Sequence, residues 1–176
     1  MKNIIATLGD KESILTCSLY VAHKRYDENV KKMPFYSFEK AIEALKDKTV
    51  DRCIVPSSYP KISNFIADLE LDIKEVFLEK IPNLVLVGLN EIQPEKIETL
   101  FLHPATESII PSFLQKSNIK KVFVSSNSDA CRRLKNSPYP SLAITNELAS
   151  KYYGLYTYNT LRTKMKMPFI VFSLKN

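Results

Sequence analysis

Glycine is scarce in this chain of 176 residues: only three occur, and tryptophan is absent. Three glycines rule out the glycine-rich loops that cradle nucleotides. There are only two histidines, His23 and His103, and three widely spaced cysteines, Cys17, Cys53 and Cys131, with no CxxC pair. That set offers no metal-ligand spacing and no disulfide framework, so we expect no metal, no cofactor and three reduced, mostly packed thiols. No apolar run approaches the roughly 18 residues of a membrane span, and the N-terminal MKNIIATLGD is too short in its apolar part for a signal peptide. A cytoplasmic protein with no membrane partner follows. Arginine is also sparse. The formal charge of +6 comes mainly from lysine and is diluted by 19 acids. Without clustered Arg and interleaved aromatics, a nucleic-acid partner is not indicated, whereas attraction of a small polyanionic metabolite fits the charge.

What is present is a repeated theme of strand, polar elbow and helix, carried by a 45% hydrophobic chain long enough for one domain or two small lobes. The stretch SSNSDACRRLKNSPYPSLAITNELASKYYGL, residues 125–155, shows it twice. Four small polar residues follow Val122-Phe123-Val124, and a helix runs from about Ser128 to Lys135. A turn at Pro138 and Pro140 leads to the strand Leu142-Ala143-Ile144. Thr145-Asn146-Glu147 then open a second helix that Gly154 ends. Both elbows are expected at one edge of a parallel sheet, where helix-start N–H groups favour an anion and open α/β sheets bind ligands.

The theme recurs along the chain. Asn3–Leu8 reads as a strand and Ser13–Tyr26 as a helix, with Gly9-Asp10 between them. Phe38–Lys46 has helical spacing, with Ala41, Ile42 and Leu45 on one face. Asp51–Val55 is a strand, followed by the elbow Pro56-Ser57-Ser58 and a helix carrying Ile62, Phe65, Ile66 and Leu69. Leu71–Asn90 reads as two long strands meeting near Pro82, the character of a connection between lobes. Leu100–Leu102 leads to the elbow His103–Thr106 and a helix interrupted by Pro111. Phe169–Leu174 is a β-rich run returning to the first lobe, and Arg162–Lys166 reads as a solvated loop. The predicted fold is α/β and two-lobed, like type II periplasmic binding proteins, with a ligand cleft lined by the elbows. Lobe 1 takes about 1–80 plus 160–176, and lobe 2 about 81–159.

Each polar elbow side chain has two readings, helix cap or ligand contact. They apply to Ser126, Asn127 and Ser128 at one elbow and to Thr145 and Asn146 at another. They apply also to Ser13, Ser57 and Ser58. His103 is either a ligand contact and proton source or a structural histidine. His23 is expected at the surface, and Arg132 is either ion-paired or free to meet a substrate.

Ala6-Thr7-Leu8-Gly9, Ile54-Val55-Pro56, His103-Pro104, Ala143-Ile144-Thr145-Asn146-Glu147-Leu148-Ala149 and Tyr153-Gly154-Leu155 stand in this order. With them the chain resembles the catalytic domain of prephenate dehydratases, and within that group the prephenate decarboxylase of bacilysin biosynthesis. The resemblance covers nearly the whole chain as a single dehydratase-like domain without the usual regulatory domain, and it implies prephenate as ligand. Three departures stand out. Gly9-Asp10-Lys11-Glu12-Ser13 replaces Gly-Pro-x-Gly-Thr, Ser58-Tyr59-Pro60 replaces Glu-Asn-Ser, and Met167-Pro168-Phe169 replaces Thr-Arg-Phe. In dehydratases the threonine of the last motif assists departure of the ring hydroxyl, and methionine offers no proton. The resemblance therefore implies a carbon–carbon lyase, without a cofactor, that decarboxylates prephenate or a close cyclohexadienyl dicarboxylate without aromatising it, as a step in specialised-metabolite or antibiotic biosynthesis. The alternatives are dehydration to phenylpyruvate through another donor such as Ser57 or His103, and a non-catalytic carboxylate binder. The catalytic residue is left open, with His103 and Asn127 as the candidates. The sequence leaves oligomeric state open, a homodimer included.

Overall fold

A computed structural model describes residues 3–10, 14–115 and 118–175. The chain divides into two compact units, Met1–Ile81 with Lys166–Asn176, and Pro82–Met165. Residues 160–165 go with the second unit, because its last strand stays paired up to Arg162.

Unit 1 holds β1 (Ile4–Leu8), α1 (Cys17–Arg25), β2 (Lys31–Phe35), α2 (Phe38–Lys46), β3 (Arg52–Pro56), α3 (Ile62–Ile66), β4 (Leu71–Lys80) and β10 (Lys166–Leu174). The sheet order is β2-β1-β3-β10-β4; β1, β2 and β3 run parallel, and β10 is antiparallel to both β3 and β4. The central strands are apolar on both faces, as a sheet covered on two sides requires: Ile5, Ala6, Cys53, Ile54, Val55, Phe169 and Phe172 are buried. Helix α1 starts at Thr16, whose hydroxyl accepts from the Leu19 N–H at 3.1 Å and donates to the Leu8 carbonyl at 2.6 Å. The helix thus begins later than its apolar spacing predicts, because a buried Thr16 both caps it and ties it to the end of β1. Gly9 lets α1 approach: a Cβ there would lie 2.8 Å from Leu19 Cδ2 and 3.0 Å from Pro34 Cβ. Leu69, expected on the helix with Phe65, lies beyond α3 and is exposed.

Unit 2 holds β5 (Leu84–Gly88), β6 (Thr99–Leu102), α4 (Ser112–Gln115), β7 (Lys120–Phe123), α5 (Asn127–Lys135), β8 (Ser141–Asn146), α6 (Glu147–Tyr152) and β9 (Tyr156–Arg162). Its order is β7-β6-β8-β5-β9, with β6, β7 and β8 parallel and β5 antiparallel to β8 and β9. Pro111 splits the segment after β6 into a 3₁₀ turn, Pro104–Ile109, and the short α4, since a proline cannot supply the N–H an uninterrupted helix needs. Gly154, at φ +62°, ends α6 in the left-handed region, where glycine is the usual residue. In both sheets the strand arriving from the other unit (β10, β5) slots between the third parallel strand and an outer strand, and runs antiparallel to both. The two units therefore share one topology. Among the described residues no helix is long and apolar enough to cross a membrane.

Candidate functional site

In unit 2 the parallel run of β7, β6 and β8 carries three elbows to one sheet edge. His103 follows β6, residues 124–126 follow β7, and Asn146 ends β8. In unit 1 the parallel β2, β1 and β3 carry Tyr36, Gly9-Asp10 and Ser57-Ser58 to the corresponding edge. Ser13 lies outside the described residues.

The helix start at Ser126 supplies its own anion. The Ser126 hydroxyl caps α5, accepting from the Asp129 N–H at 3.1 Å, and Asp129 accepts the Ser125 N–H and hydroxyl, both at 3.2 Å. Burial pushes the Asp129 carboxyl upward, but the Ser125 hydrogen bonds and Arg133 outweigh it and hold the group below the usual carboxylate range. Ser128 is fully buried, its hydroxyl 3.0 Å from that of Ser126. The signal for this was in the sequence: Ser126-Asn127-Ser128-Asp129 follows the capping-box spacing, with Asp in the acidic position.

The β8 elbow is similarly tied inward. Thr145 is 0% exposed; its hydroxyl donates to the Asn127 carbonyl at 2.8 Å and accepts from Cys131 Sγ at 3.1 Å. Asn146 is also wholly buried, and its Oδ1 accepts from the Leu148 and Ala149 N–H groups at 3.0 and 2.9 Å, capping α6. Glu147 accepts from both the backbone and the side-chain amide of Asn83, at 2.9 and 3.0 Å, which fixes the entry to β5 beside this elbow. The side chains of Ser126, Ser128, Thr145 and Asn146 are thus buried and act as caps and ties.

Four candidates keep accessible side chains. Asn127 and His103 are half-buried at the unit 2 edge, and Ser57 and Ser58 are exposed in unit 1. His103 Nδ1 accepts from the Ala105 N–H at 3.2 Å, which puts the ring proton on Nε2. Burial lowers its pKa, so at neutral pH His103 is an uncharged N–H donor. The Ser58 hydroxyl lies 3.0 Å from Met167 Sδ, and the Ser57 N–H donates to the Pro168 carbonyl at 2.9 Å. The first residues of β10 thus run alongside the elbow of β3. Tyr59, next in sequence, packs on Phe38 and Phe65 and donates to Glu39; burial and that carboxylate push its pKa upward.

A shallow groove of about 540 Å³ also opens in unit 2, between α5 and the amino-terminal ends of β6 and β7, with Thr99, Phe101, Lys120 and Arg133 in its wall. It lies at the opposite end of the strands from the elbows. Arg132 in its rim is half-exposed and 3.4 Å from Asp129, the ion-paired reading of that residue. His23 is exposed on α1.

Two α/β units with this strand order define a class, the type II periplasmic-binding-protein-like folds. A family model, Prephenate dehydratase, matches residues 5–164, and the chain belongs to that family. The prephenate decarboxylase of Planktothrix agardhii (strain NIVA-CYA 126/8) is 32% identical over 159 residues, which are 84% of this chain and 77% of that protein. The prephenate decarboxylase of Bacillus subtilis (strain 168) is 29% identical over 131 residues, 72% of this chain and 63% of that one. Among solved structures, the prephenate dehydratase of Arthrobacter aurescens, crystallised with L-Phe, aligns over 98% of this chain and 61% of its own length, with a TM-score of 0.72 and 18% identity. The chain thus spans about three fifths of the dehydratase and of the Bacillus relative.

Proposed function

We propose that this protein decarboxylates prephenate, or a close cyclohexadienyl dicarboxylate, without aromatising the ring. The observation that carries the reading is Met167. It stands where the resemblance puts the dehydratase threonine, 8% exposed, with its sulfur against the Ser58 hydroxyl. A thioether is at most a weak acceptor and has no proton to give a departing hydroxide. Without assistance to that departure, the ring hydroxyl stays. The remaining path breaks the bond between the ring and its carboxylate. Carbon dioxide leaves, the electron pair moves into the diene, and a proton is taken up at a distant ring carbon. Such a step needs orientation of the carboxylate out of the diene plane and a fixed polar environment.

His103, presenting a neutral Nε2–H, and Asn127, at the start of α5, are the donors assigned to the substrate in unit 2. In unit 1 the accessible candidates are Ser57 and Ser58. The relatives named prephenate decarboxylase support the same reading. A place in specialised-metabolite biosynthesis in the cytoplasm goes with it.

Product identification tests it. Purified protein incubated with prephenate is expected to give a dihydro-hydroxyphenylpyruvate, seen by NMR as retained ring sp³ carbons and by the ultraviolet spectrum of a conjugated diene. Phenylpyruvate as the product would overturn the assignment in favour of dehydration through Ser57 or His103.

A further inference from the structure

Lys80 and Lys166 face each other directly across the β4–β10 ladder. Residues opposite one another on antiparallel strands have Cβ atoms roughly 5 Å apart on the same face of the sheet, and like charges so placed repel. Both side chains are exposed, and among the described residues neither ammonium is ion-paired. Six other basic side chains of unit 1 are treated differently: Lys24, Arg25, Lys40, Lys46, Lys61 and Lys74 each meet a carboxylate. The acid adjacent in sequence, Glu79, points to the other face, where it binds Lys24 at 2.6 Å.

The position of the pair matters. Pro56, at the end of β3, faces Phe169, so Lys166 lies beyond the end of β3, at the edge that carries Ser57-Ser58. Strand alternation puts Lys166 and Pro168 on one face and Met167 on the other, and the burial follows: exposed, buried, exposed. The edge therefore presents a thioether and a hydroxyl on one side of the strand and two uncompensated ammonium groups on the other.

We infer that Lys80 and Lys166 together form an anion subsite that takes one carboxylate of a dicarboxylate ligand. Two ammonium groups supply six N–H donors in all, enough to hold both oxygens of a carboxylate. The bound anion relieves the repulsion between them. This inference rests on the decarboxylase reading for its substrate, but the subsite can be assayed without turnover.

The test uses the full chain and the variants Lys80→Gln, Lys166→Gln and Lys166→Arg, with Lys96→Gln as an exposed control for net charge. Malonate is the ring-free probe, and chloride at equal ionic strength controls for screening. Malonate is expected to raise the Tm of the parent protein, of Lys166→Arg and of Lys96→Gln. Lys80→Gln and Lys166→Gln are expected to lose at least half of that shift. With prephenate, each Gln variant is expected to raise KM roughly 10-fold, the size of one lost charge-assisted contact, while kcat stays within about 2-fold. If the parent turns prephenate over and the Gln variants keep both KM and the malonate shift, the subsite is refuted and the proposed function stands. If the parent shows no turnover but the malonate shift depends on both lysines, the function fails and the subsite stands. If malonate and chloride act alike on every protein and KM does not move, the lysines are a solvated pair only.

Discussion

The Ser58 hydroxyl meets the Met167 sulfur at 3.0 Å, joining two positions that are 109 residues apart in the chain. Both differ from the dehydratase pattern, and they differ together. Where a dehydratase-like chain has a carboxylate and a hydroxyl in these two motifs, this one has a hydroxyl and a thioether in contact. The paired departure gives the first expectation. Met167→Thr returns a hydroxyl to the start of β10 beside Ser58 and is expected to divert part of the product to phenylpyruvate, read by its absorbance in alkali. Met167→Leu, which restores no proton donor, is expected to leave the product unchanged. Phenylpyruvate in equal amount from both variants would show that the residue does not choose the bond.

Thr145→Val removes one buried hydroxyl at nearly constant volume. The bonds that its hydroxyl makes to the Asn127 carbonyl and with Cys131 Sγ are lost. A buried hydrogen bond contributes roughly 0.5–1.5 kcal/mol net, and denaturant unfolding is expected to register a loss in that range. A change near zero would mean that the tie between the two elbows contributes little.

His103 gives the pH dependence. Burial lowers its pKa below the ordinary 6.5, so the folded state prefers the uncharged ring. Its contribution to stability is then fully present above the unfolded value and is lost as pH falls below it. The Tm of the parent protein is expected to fall more steeply between pH 7.5 and 5.5 than that of His103→Asn, whose side chain retains an acceptor for the Ala105 N–H. Parallel curves would remove His103 as the cause.

Gly9→Ala tests how closely α1 lies on the sheet. The new methyl would be 2.8 Å from Leu19 Cδ2 and 3.0 Å from the ring of Pro34. Overpacking of this kind costs roughly 1–3 kcal/mol, and the Tm is expected to drop accordingly. The pairing Gly9→Ala with Leu19→Ala, which opens that space, is expected to cost less than the sum of the two single changes.

Much of the architecture was legible along the chain, because apolar spacing and turn residues are local. The helix Phe38–Lys46 and the β8–α6 elbow stand where Ala41, Ile42, Leu45 and the Asn146 cap predict them. Strand β9 was not legible: its pattern is mostly exposed, and only its partner β5 holds it in the sheet.

The sequence by itself determined the class of fold, the family and the three motifs that depart from the dehydratase pattern. All of these depend on residue type and order, and residue type sets hydrogen-bonding capacity before any folding. Tertiary structure alone decided which polar groups are available. Thr145 and Asn146 had two readings, cap or ligand contact, and a buried hydroxyl or amide must find partners; theirs include Asn127, Cys131 and the first turn of α6. Likewise nothing in the order of residues brings Lys80 to Lys166 or Ser58 to Met167. Those meetings come from the register of β10 between β3 and β4, which is set by long-range hydrogen bonds between distant parts of the chain.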